Sequence, residues 1–215
     1  SATLDESLDN NVFVARSATI NGKDWEKWNG SSWGGDPAPA VDAELSATET
    51  FFGAGEPSLV VKGDQIYLYY TYSDNEQKIY NVRLMTAAAS DPNWPASMTD
   101  QGEVIDRTAF KGLNIDGCSV RYIEDQDCFQ AVHGVNIADV NSYSVVWVSK
   151  DGVSGWEQKG VLSNNIRVRA KYARFICNEQ SHITSTTPRL MIYQNGGQYS
   201  KTAWPTRMVP YSFVE

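Results

Sequence analysis

A phrase recurs along this chain. Val12 to Trp28 reads VFVARSATINGKDWEKW, Val82 to Trp94 reads VRLMTAAASDPNW, and Val145 to Lys159 reads VVWVSKDGVSGWEQK. Each is a short apolar run, then Ser or Ala, then a turn bearing Asp or Gly, then a Trp that opens another short run. The two later copies each follow a second pair of apolar runs, PSLVVKGDQIYLYYT from Pro57 to Thr71 and SVRYIEDQDCFQAVH from Ser119 to His133. Self-similarity at a spacing of roughly 60 residues constrains the fold more tightly than any single residue, because each unit must bury its apolar faces against its neighbours.

Alternation and β-branched or aromatic content read every run as a strand, and no segment sustains a helical period. The first full unit predicts strands over Ser58–Val61, Ile66–Thr71, Tyr80–Met85 and Gly102–Ile105, with Gly63-Asp64 as a tight hairpin turn. The second predicts Val120–Ile123, Phe129–Val132, Ser144–Val148 and Trp156–Val161. The last predicts Ala173–Cys177, Leu190–Tyr193 and a tail from Ala203 to Phe213. Four short antiparallel strands per repeat describe a blade, so the expected fold is an all-β propeller forming one domain over residues 1–215. Residues 53–106, 116–162 and 170–215 are its blades.

The first repeat is only half of one. Residues 12–28 supply the outer two strands and no inner pair, so the chain holds about three and a half blades where propellers close with four to eight. Bare strand edges invite association. A preceding segment, a second chain or closure by the tail is therefore expected to complete the ring. The in-phase Trp25, Trp94 and Trp156 are expected to pack between blades.

The 215 residues carry a formal net charge of -8. Nucleic acid and anionic membrane surfaces both need a basic patch, so neither is the expected partner, while neutral ligands are untouched by this argument. No run is long and apolar enough to span a bilayer as a helix. The three cysteines, Cys118, Cys128 and Cys177, are odd in number, and a hairpin turn near Glu124–Asp127 sets Cys128 opposite Ile123 rather than Cys118. Buried free thiols are the expectation.

The run Gly53-Ala54-Gly55-Glu56-Pro57-Ser58-Leu59-Val60-Val61, followed by Gly63-Asp64 and Ile66–Thr71, resembles the blade opening of five-bladed propellers of the glycoside hydrolase family 43 superfamily. Ser149-Lys150-Asp151-Gly152-Val153 with Trp156 resembles the outer turns of the same proteins. The resemblance implies a secreted or extracytoplasmic protein acting on an oligo- or polysaccharide without a cofactor. It also implies an axial site at the starts of the innermost strands, where carboxylates from different blades serve as base, acid and modulator. Glu56 and Asp116 start successive inner strands and are the candidate catalytic pair. Two such carboxylates flanking a glycosidic bond protonate the leaving oxygen and activate water or attack. The equivalent stretch of the last blade, Arg169-Ala170-Lys171-Tyr172, has no carboxylate. The alternative is a non-catalytic glycan-binding or scaffold propeller.

Arg169, Lys171, Tyr172 and Arg174 suit sugar hydroxyls or a uronate carboxylate. Trp33 lies outside the repeat, in the Gly/Pro/Ser-rich stretch Asn29–Ala40, and is a candidate stacking platform for a sugar face. Asp91 and Asp151 read as turn residues. His133 and His182 show no metal-ligand spacing and read as satisfied core or loop histidines, and no metal is expected.

Overall fold

The computed structural model describes residues 11–19, 22–42, 53–74, 79–105, 115–135, 143–162, 170–195 and 206–212. The chain begins with a two-stranded sheet, β1 (Ala15–Ser17) and β2 (Trp25–Lys27). A four-stranded antiparallel meander follows: β3 (Ala54–Lys62), β4 (Gln65–Asp74), β5 (Ile79–Ala88) and β6 (Thr99–Ile105). The next meander is β7 (Ile115–Ile123), β8 (Cys128–Val135), β9 (Tyr143–Ser149) and β10 (Glu157–Val161). The last sheet orders β11 (Ala170–Phe175), β13 (Leu190–Asn195) and β14 (Thr206–Pro210). Between its first two strands, β12 (His182–Ile183) leaves to pair in parallel with Tyr122 and Ile123 of β7. Every strand expected from the repeat is present, most of them longer than the alternation alone marks.

Why these segments form inner strands is visible in β4. Its run Tyr67-Leu68-Tyr69-Tyr70 is apolar without interruption because both of its faces are covered, and side chains alternate between them. Leu68 and Tyr70 join Val12, Val41 and Ala54 in one core. Tyr69 faces the other way, into a core with Val120, Phe129 and Trp147. β8 repeats the device. Phe129 and Ala131 enter the core shared with β4, while Cys128 and Val132 enter a third core with Phe175, Met191 and Tyr193. Three apolar layers thus alternate with the sheets. The outer strands β6, β10 and β14 are mostly exposed, as their polar content requires.

Turn chemistry fixes the registers. Lys62 pairs with Gln65 across Gly63-Asp64, and Gly63 takes φ +59° in the place a two-residue hairpin gives to Gly. The Asp64 carboxylate accepts from Ser90 N (2.7 Å) and Ser90 Oγ (2.9 Å), tying that hairpin to the next turn. Cys128 lies opposite Ile123, and all three cysteines are free thiols.

Two expectations need correction. The in-phase tryptophans do not all pack alike. Trp94 and Trp156 lie partly buried against apolar cores, whereas Trp25 is 60% exposed, its indole N–H donating to Gly22 O. The tail, for its part, pairs with β13 and is not hydrogen-bonded to the β1–β2 sheet. Its candidate role in closing the ring with that sheet is therefore not what the described residues show.

Candidate functional site

The three innermost strands share one irregularity. In β3 the register slips between Gly55 and Ser58, in β7 between Asp116 and Ser119, and in β11 between Lys171 and Arg174. Each slip inserts one extra residue, a β-bulge at the same level of three successive blades. Bulges re-aim side chains, and these stand at the N-terminal ends of the strands that line the axis. Counting from them, Glu56 is level with Gly117 and Tyr172, while Asp116 is level with Gly55 and Lys171. The sequence repeat had set Asp116 opposite Glu56; the register sets it one residue earlier.

Glu56 holds φ +51° and Gly117 holds φ +71°. Both are in the left-handed region, which Gly enters freely and a residue with a Cβ enters at a cost of roughly 1–2 kcal/mol. Glu56 also precedes Pro57, a context that further restricts its backbone. A glutamate therefore occupies a position whose geometry favours glycine. One of its carboxylate oxygens, Oε2, is enclosed by the fold.

Below the bulges the strands are stitched together. Val120 N donates to Ser58 Oγ at 2.9 Å, and that hydroxyl returns a bond to Val120 O at 3.2 Å. Arg121 crosses from β7 towards β3, its Nη1 reaching Ser58 Oγ at 3.0 Å and Val120 O at 2.5 Å. Arg174 crosses from β11 towards β7 and donates to Gly117 O at 2.7 Å. Both guanidiniums act electrostatically on the fully buried Cys118. Burial first of all pushes its thiol up to about 12, with Arg174 and Arg121 pulling against that and Glu56 adding to it. The four side chains thus share one electrostatic neighbourhood at the axis.

The opposite ends of the same strands are closed by residues 178–183. Val61 N donates to Gln180 O and Tyr122 N to Ser181 O, each at 3.1 Å. The His182 ring spans the gap, with Nδ1 against Glu124 Oε1 (2.9 Å) and Nε2 against Val61 O. His133 is also enclosed by the fold. Burial pulls its pKa down to about 4, and Nδ1 faces Gly134 O at 3.3 Å. Among the described residues no three of His, Cys, Asp and Glu gather closely enough to hold a metal ion.

Trp33 does not sit in a loose loop. It bridges Trp28 within a turn organised by Asn29, whose Oδ1 accepts from Ser31 N (3.0 Å) and Ser32 N (2.8 Å). The indole donates to Pro92 O at 2.7 Å, the ring meets Trp28 and Trp94, and the Arg16 guanidinium lies 4.5 Å from its centroid. It is a packing residue between the N-terminal sheet and the β5–β6 connection. Asp91 and Asp151 hold turns: Asp91 accepts from Asn93 N and Ser97 Oγ, and Asp151 from Val153 N, Ser154 N and Ser154 Oγ. Arg169 and the side chains of Asp116, Lys171 and Tyr172 lie outside the described residues. Arg121 was not among the sequence candidates, although a lone cation inside the apolar run Val120-Arg121-Tyr122-Ile123 was a signal for it.

No protein-family profile matches the sequence, and no curated protein matches it. Solved structures do. The GH62 α-L-arabinofuranosidase catalytic domain of Coprinopsis cinerea is 12% identical with a TM-score of 0.56, over 85% of this chain and 66% of that one. The β-1,2-mannobiose phosphorylase of Listeria innocua is 12% identical with a TM-score of 0.54, over 85% of this chain and 47% of that one. The endo-1,4-β-xylanase of Bacteroides thetaiotaomicron is 10% identical with a TM-score of 0.52, over 98% of this chain and 75% of that one. The chain thus spans about half to three quarters of the length of these three proteins. At such identities the likeness speaks for architecture: this all-β chain has the blades of the five-bladed propeller shared by glycoside hydrolases and a glycoside phosphorylase.

Proposed function

We propose that this chain belongs to a carbohydrate-active propeller whose axial site, at the bulged ends of β3, β7 and β11, takes a glycan with Glu56 as its working carboxylate. The observation that carries this reading is the backbone of Glu56. A strained φ kept by a glutamate, where the next blade uses glycine, is retained against local stability, and such strain clusters at functional positions. The fold adds support, since its structural neighbours are named for arabinofuranosidase, xylanase and phosphorylase activities. The reading carries with it an oligo- or polysaccharide substrate and a secreted or extracytoplasmic location.

Two variants test it. Glu56→Gln keeps the shape and removes the charge; it should abolish hydrolysis of a panel of arabino-, xylo-, galacto- and manno-oligosaccharides while glycan binding persists. Glu56→Gly should raise stability by about 1 kcal/mol by relieving the left-handed backbone, and lose the same activity. Hydrolysis unchanged in Glu56→Gln removes the catalytic role, and an unmodified protein that binds no glycan removes the whole reading.

A second reading has its own observation. The described charged side chains sharing Glu56's neighbourhood are Arg121 and Arg174, groups suited to holding a ligand rather than cleaving it. A glycan-binding propeller without turnover fits them. Binding with no hydrolysis across the same panel selects this alternative.

A further inference from the structure

Ser58 stands where the register of β3 resumes after its bulge, opposite Tyr69. It is buried, and its hydroxyl is fully used. Ser58 Oγ accepts from Val120 N at 2.9 Å and from Arg121 Nη1 at 3.0 Å, and it donates to Val120 O at 3.2 Å. One donor and two lone pairs are all that a hydroxyl has. All three bonds run to β7, so this side chain ties one blade to the next.

The equivalent residue of the next blade is Ser119, where the register of β7 resumes opposite Val132. Ser119 is buried as well, yet its Oγ is enclosed with no hydrogen-bond partner among the described residues. The two blades differ in one more respect. The residue two places before Ser58 is Glu56 at φ +51°, and the residue two places before Ser119 is Gly117 at φ +71°. A tied serine thus follows the residue for which the left-handed backbone is costly. An untied one follows the glycine that enters it freely. A strained conformation persists only where its surroundings over-determine it. Pro57, with its fixed φ, passes any displacement of Ser58 on to Glu56.

We propose that Ser58 is a positioning residue for Glu56: its tie to Val120 and Arg121 holds the bulge of β3 against β7 and so keeps the Glu56 backbone left-handed. The consequence for turnover rests on the axial glycan reading given above; the tie itself does not. Removing the hydroxyl leaves Arg121 held by Val120 O at 2.5 Å and by Cys177. Ser58→Ala therefore frees the bulge without stranding a buried cation.

The test is a double-mutant cycle read as urea-unfolding midpoints. Glu56→Gly should raise the midpoint of the parent, because glycine takes the left-handed position without strain. In the Ser58→Ala background the bulge relaxes, and the same substitution should give roughly half that rise or less. The Ser58→Thr background keeps the hydroxyl and should return the full rise; should Thr prove too large to fold, the Ser58→Ala comparison decides alone. Equal rises in the parent and in Ser58→Ala, or no rise in the parent, overturn the proposal. On any oligosaccharide that the parent cleaves, Ser58→Ala should lower kcat roughly tenfold or more with KM within about twofold, as expected when a reacting group is displaced by about 1 Å. Ser58→Thr should recover that kcat, and a loss confined to KM overturns the positioning role. A parent that binds no glycan removes the glycan reading, and the cycle still decides whether Ser58 holds Glu56.

Discussion

Trp156 and Trp25 occupy the same place in the repeat and meet opposite surroundings. Trp156 packs against the core between the β3–β6 and β7–β10 sheets, its ring edge-on to Tyr69 at 6.1 Å between centroids. Trp25 lies on β2, in a sheet of two described strands, and stands 60% exposed. The phrase that carries each tryptophan specifies the strand, the turn and the direction of the side chain. It does not specify burial, which is supplied by the sheet next door. Repeat proteins work this way generally, with stability shared between the units and their interfaces.

The comparison breaks most sharply at Gly152, in the turn before Trp156. Its φ is +76°, and a Cβ there would lie 2.7 Å from Tyr69 Oη and 3.0 Å from Phe129 Cδ1 and Cδ2. Tyr69 already donates to Gly152 O at 2.7 Å, so the ring has nowhere to go. Gly152→Ala should destabilise by about 3 kcal/mol or more, from backbone strain plus overpacking, read as the shift of a urea-unfolding midpoint. A midpoint within error of the parent would mean that the two sheets do not meet as described.

Trp156→Ala comes next. The side chain is only partly buried, so about 2–3 kcal/mol is expected, below the range for a fully enclosed tryptophan. Thermal unfolding checks it, and no change in melting temperature would detach the repeat phrase from the interface. A smaller effect, about 1 kcal/mol, is expected for Asp151→Asn, which weakens the hydrogen bonds holding the turn between Gly152 and Trp156. Burial works to raise the Asp151 pKa, but hydrogen bonds from Ser154, Val153 and Ser149 outweigh it and draw it down to about 2. A depressed carboxylate stabilises above its unfolded pKa of about 3.9, and that contribution is lost as pH falls towards the folded value. The parent should therefore lose stability between about pH 4 and pH 2 more steeply than the variant, and parallel acid profiles would contradict the assignment. Trp25→Ala anchors the small end, at less than about 0.5 kcal/mol. A loss as large as that of Trp156→Ala would show that another surface covers Trp25 in solution.

The strands and turns were legible because period-2 alternation and turn residues are local. Ile66–Thr71, Gly63-Asp64 and the Ser149–Trp156 turn all follow from neighbours in sequence. The site was legible only in part. Glu56 stood out from its place before Pro57 at a strand start, yet its left-handed backbone depends on a bulge that no local pattern announces. Asp116 was set one residue off level because Ser58 answers to Ser119 in the repeat, which puts Gly117 rather than Asp116 beside Glu56. Trp33 looked unpartnered because Trp94, Arg16 and the Pro92 carbonyl are brought to it from other turns of the fold. Arg121 went unnoticed because its partner hydroxyl, Ser58, lies in another blade.

The segment at residues 178–183 has a consequence for how the chain assembles. His182 touches Val61 across a sequence separation of 121 residues and Glu124 across 58, while β4 and β5 meet through a short connection. Contacts that close long loops are made late, since chain entropy must first be spent on the elements they join. The β3–β6 and β7–β10 meanders can each nucleate from their own hairpins. The tie at His182 forms only after both are seated side by side and the final sheet has begun. It acts as a latch rather than a nucleus, setting how fast the assembled arc comes apart more than how fast it is built.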